Sequence, residues 1–237
     1  MIFLLDDEPG APFPDVGLAE REPNGLLAVG GDLSPQRLIN AYLQGIFPWF
    51  SEGEPILWWS PDPRTVLFPE QIRISRSLRK TLKKAQFKVS FDRDFQAVID
   101  ACAQPRESSP GTWLLPEMIE AYHTQHELGL AHSVEVWQDE ELVGGLYGMA
   151  IGGVFFGESM FSRVADTSKI ALVHLSRTLQ TWNFKMIDCQ VYTQHLASLG
   201  AQEIPRQAFC ENLERWCRLP GHQGSWAEVP VVTPGAE

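Results

Sequence analysis

Three polar residues stand in apolar stretches where structure alone does not demand them. Glu158 follows Gly157 at the end of an apolar strand, and Asp188 and Gln190 alternate with Ile187 and Cys189 inside another, KMIDCQVY. A strand repeats every two residues, so Asp188 and Gln190 are expected on one face and Ile187 and Cys189 on the other. Polar groups side by side on a buried strand need partners, because each unpaired one costs about 1–3 kcal/mol. A satisfied structural network meets that need. So does a site in which a carboxylate orients or deprotonates a nucleophile while an amide hydrogen-bonds the reacting group. These residues by themselves leave both readings open.

Aromatic and basic residues form a second set. Trp58 and Trp59 suit a core, as most large aromatics do. Trp49, in a proline-containing loop after a helix, and Trp113, in the loop after ESSPGT, suit an exposed stacking platform, with Tyr122 close by in sequence. Stacking on an unpaired nucleotide end contributes about 1–3 kcal/mol per base. Seven of the nineteen Lys and Arg residues lie between Arg73 and Lys88, with no acid among them. On a helix, Arg76, Arg79, Lys80, Lys83 and Lys84 fall opposite Leu78, Leu82 and Ala85. Such a stripe is either a solvated face or a phosphate-binding one.

Other chemistries find little support. His123, His126 and His132 lie close in sequence, but only His123 and His126 share a helical face, which is no metal site. No Gly-x-Ser-x-Gly elbow or Cys-His arrangement announces a covalent acyl-enzyme. Gly30-Gly31-Asp32 reads as a turn before a helix, since no strand precedes it and no Lys follows as in a phosphate loop.

The elements that must position these residues are legible in outline. The first sixty or so residues look loop-rich around one helical run, SPQRLINAYLQGIF, with Ser34 as N-cap and Pro35 as first helical residue. Pro61, Pro63 and Pro69 mark a change of composition, and a domain boundary is placed near residue 62. A helix capped by Ser75 follows, then one at 116–128. Next come strands SVEVWQ, ELVGGLYGMAI and GVFFGESMFS, the first two joined by an Asp139-Glu140 turn. DTSKIALVHLSRTLQTW is expected to be a helix capped by Asp166 or Thr167. KMIDCQVY is a buried strand, HLASLG a short helix and RQAFCENLERWC a last one. The tail from Pro220 is expected to be irregular, and disordered at its end.

Antiparallel strands, a helix, a central strand and another helix make an α+β chain: a small N-terminal domain, residues 1–62, before an acetyltransferase-like (GNAT-type) α/β domain, residues 63–237. That architecture usually holds acyl-coenzyme A at a glycine-rich turn opening the central helix. Here the turn reads SRVADTSK, with no glycine and with Asp166 where a phosphate would approach, so a different acyl donor is expected.

The chain has 237 residues, 44% hydrophobic and 21% charged, enough for one full core or a large core with a satellite domain. Its formal net charge of −11 argues against indiscriminate binding to nucleic acid and makes the basic stripe a local exception. The N-terminal apolar run is too short for a signal peptide or membrane span, and the four cysteines match no zinc or redox spacing. A soluble cytoplasmic protein with reduced thiols is expected.

Over nearly its whole length the sequence resembles the bacterial leucyl/phenylalanyl-tRNA-protein transferases. The matching segments are REPNGLLAVGGDLSPQRLINAYLQGIFPWFSEGEPILWWSPDPR, SRSLRKTL, GTWLLPEMIEAYHTQHELGLAHSVEVW, ELVGGLYG, FFGESMFSRVADTSKIALVHL and DCQVYTQHLASLGAQEIPR. Leu114-Leu115 departs from the family pattern, where a polar or β-branched residue often stands, and could tune substrate preference. The resemblance implies a monomeric enzyme needing no cofactor or metal. It would move Leu, Phe or Met from aminoacyl-tRNA to the α-amine of proteins beginning with Arg or Lys, marking them for degradation. It further implies that Asp188 and Gln190 act at the reacting amine and that Glu158 shapes the same site. Trp49, Trp113 and Tyr122 would hold the 3′-terminal adenosine, and Leu146, Phe155, Met160, Leu172, Leu175 and Ile187 would line the amino-acid pocket. The face from Arg76 to Lys84 would meet the acceptor stem. Two other readings differ in class: an acetyltransferase-like enzyme serving cell-wall peptides with another aminoacyl donor, and a non-catalytic tRNA-binding module.

Overall fold

A computed structural model describes residues 2–6, 8, 10–84, 86–105 and 114–230. Among these residues the N-terminal region holds a sheet as well as the expected helix. Strands β1 (Phe3–Leu5), β2 (Leu26–Gly30), β3 (Phe47–Pro48) and β4 (Leu57–Trp59) pair in the order β1-β2-β4-β3, around helix α1 (Pro35–Leu43). A loop-rich reading missed them because strands this short cannot display an alternating pattern between prolines and glycines. Ser34 caps α1 by accepting from the Arg37 N–H. A strand, β2, does lead into Gly30-Gly31-Asp32, contrary to expectation, but the segment is a structural turn: the buried Arg37 guanidinium bonds the Asp32 carboxylate and the Asp6 and Glu8 carbonyls.

Beyond Trp59 the chain builds a larger sheet. Its elements are β5 (Arg64–Leu67), α2 (Arg76–Lys83), β6 (Lys88–Phe91), α3 (Phe95–Ala103), α4 (Pro116–Glu127), β7 (Ala131–Gln138), β8 (Glu141–Ile151) and β9 (Val154–Ser162). They continue with α5 (Thr167–Thr181), β10 (Met186–Gln190), α6 (Gln194–Ser198), β11 (Gln202–Ile204) and α7 (Arg206–Trp216). The strand order is β11-β5-β10-β9-β8-β7-β6, antiparallel except between β9 and β10. That parallel pair needs a crossover, which α5 supplies. The succession of antiparallel strands, helix, parallel strand and helix is the α+β order expected.

Side chains alternate across this sheet into two cores. Tyr147, Met149 and Phe156 pack on the side of α3, α4 and α1, where Leu27, Tyr42 and Phe47 of the N-terminal region join the same cluster. Leu146, Ala150, Phe155 and Ile187 pack on the side of α5. The small N-terminal sheet thus completes one of the two cores and has no separate one of its own among the described residues.

Two local departures shape the centre of the sheet. Pairing of β9 with β10 ends at Asp188 opposite Phe156, while β9 runs on to Ser162 paired with β8 alone. The sheet therefore splits between β9 and β10. Each of these strands also carries a bulge beside the split: Tyr147 faces Ser159 and Gly148 faces Gly157, leaving Glu158 as the extra residue. Only glycine fits at Gly148, since a Cβ there would lie 2.1 Å from the Phe156 carbonyl oxygen. In β10, Asp188 faces Val66 and Gln190 faces Thr65, so Cys189 is extra, and Gln190 takes the left-handed conformation at φ 56°. The period-two alternation expected from Ile187 to Gln190 therefore ends at Asp188.

One further expectation needs correction. Asp166 occupies the N-cap position of α5, but it is left-handed (φ 69°) and makes no capping bond; its carboxylate pairs with Lys169 at 2.7 Å instead. The tail is irregular as far as Val229, yet Trp226 is fully buried. Its ring stacks on His132 at 3.7 Å between centroids, its backbone N–H donates to Asp92, and its indole N–H donates to the His222 carbonyl. Residues 231–237, where disorder was expected, lie outside the described residues.

Candidate active site

The split opens into a cavity of about 930 Å³. One wall is apolar: Leu172 and Leu175 of α5, Leu146 of β8, Phe155 and Met160 of β9, and Ile187 of β10. All six residues expected to line an amino-acid pocket meet there. Glu158, Asp188 and Gln190 line the same cavity. Residues 124 and 116 positions away in sequence hold Asp188 and Glu158, which is why sequence reading did not find the partners.

Asp188 is clamped. Arg64, the first residue of β5, donates from Nε to Oδ1 at 2.8 Å and from Nη2 to Oδ2 at 2.6 Å, and neither side chain is exposed. The remaining Arg64 nitrogen, Nη1, donates to the Gly45 carbonyl at 3.0 Å, and the guanidinium lies over the rings of Phe47 and Phe209 at 4.8 and 4.6 Å. Such a two-pronged pair fixes the carboxylate plane. Asp188 Oδ1 also accepts the Gln190 N–H at 3.0 Å, holding the turn that carries the Gln190 side chain. Gln190 Nε2 is buried with no hydrogen-bond partner among the described residues. An unpaired buried amide nitrogen is costly, and this one belongs to a residue lining the cavity.

Glu158 meets a different environment. Tyr42 of α1 donates to Oε1 and Tyr122 of α4 to Oε2, each at 2.7 Å, and the two hydroxyls lie 2.7 Å apart. Burial pushes the Glu158 carboxyl up to about 7; the two tyrosine bonds oppose the rise and Asp188 adds to it. Burial, followed by the Glu158 charge, lifts both phenols well above their ordinary value, so they stay protonated donors. Tyr147 packs edge-on against Tyr122 at 5.4 Å and also lines the cavity. Burial likewise raises the Cys189 thiol at the cavity wall, leaving it neutral.

The aromatic expectations divide. Trp49 is 45% exposed, with its ring 5.8 Å from that of Trp59, whose indole N–H donates to the Trp49 carbonyl. Trp58 is fully buried. Tyr122 is also fully buried and committed to Glu158 and Tyr42, so it offers no face to an adenine, contrary to expectation. Trp113 lies outside the described residues. Arg76, Arg79, Lys80 and Lys83 project from α2 and Lys84 follows at its end, while Leu78 is buried on the opposite face. Ala85 lies outside the described residues. Tyr42 and Arg64 were not singled out from sequence, although both sit in the long N-terminal matching segment.

Among the described residues no group of three His, Cys, Asp or Glu side chains is placed to hold a metal ion, and no helix is long and apolar enough to cross a membrane.

Comparison with known proteins places the chain in a family. A family model for the leucyl/phenylalanyl-tRNA protein transferase matches residues 66–214, and one for its N-terminal domain matches residues 31–62. A leucyl/phenylalanyl-tRNA–protein transferase of Nitrosospira multiformis is 61% identical over 215 residues, covering 86% of this chain and 93% of its own. Those of Nitrosomonas europaea and Azoarcus sp. are 60% and 62% identical, each match covering 91% of both chains. Among solved structures, a GCN5-related N-acetyltransferase from Kribbella flavida matches 71% of this chain and 60% of its own, at 13% identity and a TM-score of 0.37. With both family models matched in order and relatives near 60% identity along almost the whole chain, the protein belongs to the leucyl/phenylalanyl-tRNA protein transferase family.

Proposed function

We propose that this chain moves leucine, phenylalanine or methionine from the 3′ end of a charged tRNA to the α-amine of proteins beginning with Arg or Lys, marking them for degradation. The observation that carries this reading is a cavity with one apolar wall and one polar wall, set where the sheet splits. The apolar wall accepts an unbranched or γ-branched side chain, and the polar wall receives the attacking amine. An aminoacyl ester is already activated, so the protein's task is to hold amine and carbonyl in line. An α-amine with a pKa of about 8 is partly neutral at pH 7 and needs modest help.

Asp188 serves this reaction as an orienting group, because Arg64 and the Gln190 N–H already occupy its oxygens. Gln190 carries the polar contact to the amine. Exposed Trp49 stacks on the terminal adenosine, and the α2 cations meet the acceptor stem. The enzyme works in the cytoplasm as a monomer, with residues 1–62 and 63–237 as its two domains. Transfer of radiolabelled leucine from leucyl-tRNA to a peptide starting with Arg, and not to the same peptide starting with Gly, is the expected result. No transfer to either peptide would overturn the reading.

A further inference from the structure

Tyr42, Tyr122 and Glu158 make three mutual oxygen contacts, each of 2.7 Å. Separations that short between oxygens each require a proton in between. Two neutral phenols supply two protons, which satisfies an ionised Glu158 but leaves the Tyr42–Tyr122 contact as two lone pairs pressed together. A third proton on Glu158 closes the ring by reversing one of these bonds: Glu158 donates from Oε1 to Tyr42, the Tyr42 proton turns to Tyr122, and Tyr122 donates to Oε2. Every hydroxyl then donates once and accepts once. We infer that this ring holds three protons in the resting protein, that Glu158 is therefore a carboxylic acid, and that it lends its proton to the transfer reaction.

The ring is built from three elements that only the folded chain brings together: α1 of the N-terminal region, α4, and the bulge of β9. The remaining ionisable groups around it are consistent with a neutral acid. Tyr147 of β8 lies against Tyr122, Asp188 of β10 brings negative charge, and the Arg64 charge of β5, paired with Asp188, opposes that effect but ranks below it. Cys102 of α3 borders Tyr147 and is buried. The Glu158 carboxyl faces the cavity between these groups and, among the described residues lining it, is the carboxyl placed to donate a proton.

The step depends on the function proposed above. As the amine nitrogen bonds to the ester carbonyl carbon, the bond from that carbon to the ribose oxygen breaks. Glu158 gives its proton to the departing ribose oxygen. The carboxylate so formed accepts from Tyr122 and, as the Tyr42 hydroxyl turns from Tyr122 to it, from Tyr42 as well, and it takes the proton that leaves the nitrogen. The ring ends as it began, and no outside acid or base is consumed. While Glu158 is ionised the Tyr42–Tyr122 contact has no proton, which draws the amine proton back quickly.

The test uses the full chain with 13C-carboxyl-labelled glutamate. One carboxyl resonance, absent in Glu158→Gln, should remain in the protonated position at pH 6, well after ordinary glutamates have ionised. The amide introduced by that substitution can still donate and accept once, so folding and aminoacyl-tRNA binding should persist while single-turnover transfer falls about 100-fold or more. A Glu158 resonance already ionised at pH 6, or wild-type transfer by a folded Glu158→Gln protein, would overturn the inference. The resonance is read without substrate, so loss of the wild type's transfer activity would count against the proposed function and leave the ring's proton count standing.

Discussion

Arg64 and Asp188 stand 124 positions apart in sequence and meet as a two-pronged ion pair with neither side chain exposed. Removing one partner leaves a buried, uncompensated charge, so Arg64→Ala should lose about 3–5 kcal/mol of stability. The cavity left between the Phe47 and Phe209 rings has the shape of a planar cation. Millimolar guanidinium should therefore restore part of the transfer activity, and methylammonium should not, because it cannot reach both Asp188 oxygens. Equal rescue by both ions would show that the charge alone matters and not the two-pronged geometry, and no rescue in a variant that is still folded would contradict a role for the pair in transfer.

The apolar wall predicts a selection by shape. Leu146, Phe155, Met160, Leu172, Leu175 and Ile187 present no charged group to an incoming side chain. A pocket of this kind separates residues differing by one methylene by about 1–3 kcal/mol. Leucine, phenylalanine and methionine should all be transferred, with isoleucine and valine about 10- to 200-fold slower. Competition between tRNAs charged with each amino acid measures this; efficient transfer of isoleucine or of a charged residue contradicts it.

The cations of α2 should touch phosphates and not bases. Changing Arg76, Lys80, Lys83 or Lys84 to Ala, one at a time, should weaken binding to all accepted tRNAs alike and lower the slope of affinity against salt by about one counterion each. Filter binding across a salt series reports the slope. Lost discrimination between tRNA sequences at an unchanged slope would point to base contacts.

Glu158 gives the stability a pH dependence of known sign. Its folded value of about 7 lies above the ordinary 4.5, so the folded state holds this proton more tightly than the unfolded chain does. The group's contribution is most favourable below pH 4.5 and is lost as pH rises to about 7. Between about pH 5 and pH 8 the stability of Glu158→Gln should gain on the wild type by up to about 3 kcal/mol. Denaturant titrations of both proteins at the two pH values measure it, and an unchanged difference would place the folded carboxyl near its ordinary value.

Elements with strong local signals were legible in the sequence. Ser34 and Ser75 cap α1 and α2 as read, and the bounds of β8 were found to the residue, because capping and alternation are properties of neighbours. The tail shows the limit: Gly and Pro around Trp226 signal irregular chain, but whether an irregular segment docks depends on His132 and Asp92, distant in sequence. The site divides the same way. Gly157-Glu158 and Asp188-Cys189-Gln190 were visible as polar residues in apolar runs. Tyr42 and Arg64 carry no such mark, and only the fold shows what they bind. The bulges at Glu158 and Cys189 break the alternation from which their neighbours' directions were read.

The most direct test of the account is a double-mutant cycle on the pair joined by the Asp188 Oδ1 to Gln190 N–H bond. Asp188→Asn, Gln190→Ala and the double variant are compared by single-turnover transfer from saturating leucyl-tRNA to an Arg-starting peptide, with tRNA binding and folding checked for each. If Asp188 acts by setting the position of Gln190, each single change should lower turnover strongly with tRNA binding nearly intact. The double change should then cost little more than the worse single one. Additive losses would mean that the two residues act independently, and normal turnover in folded Asp188→Asn would remove Asp188 from the mechanism.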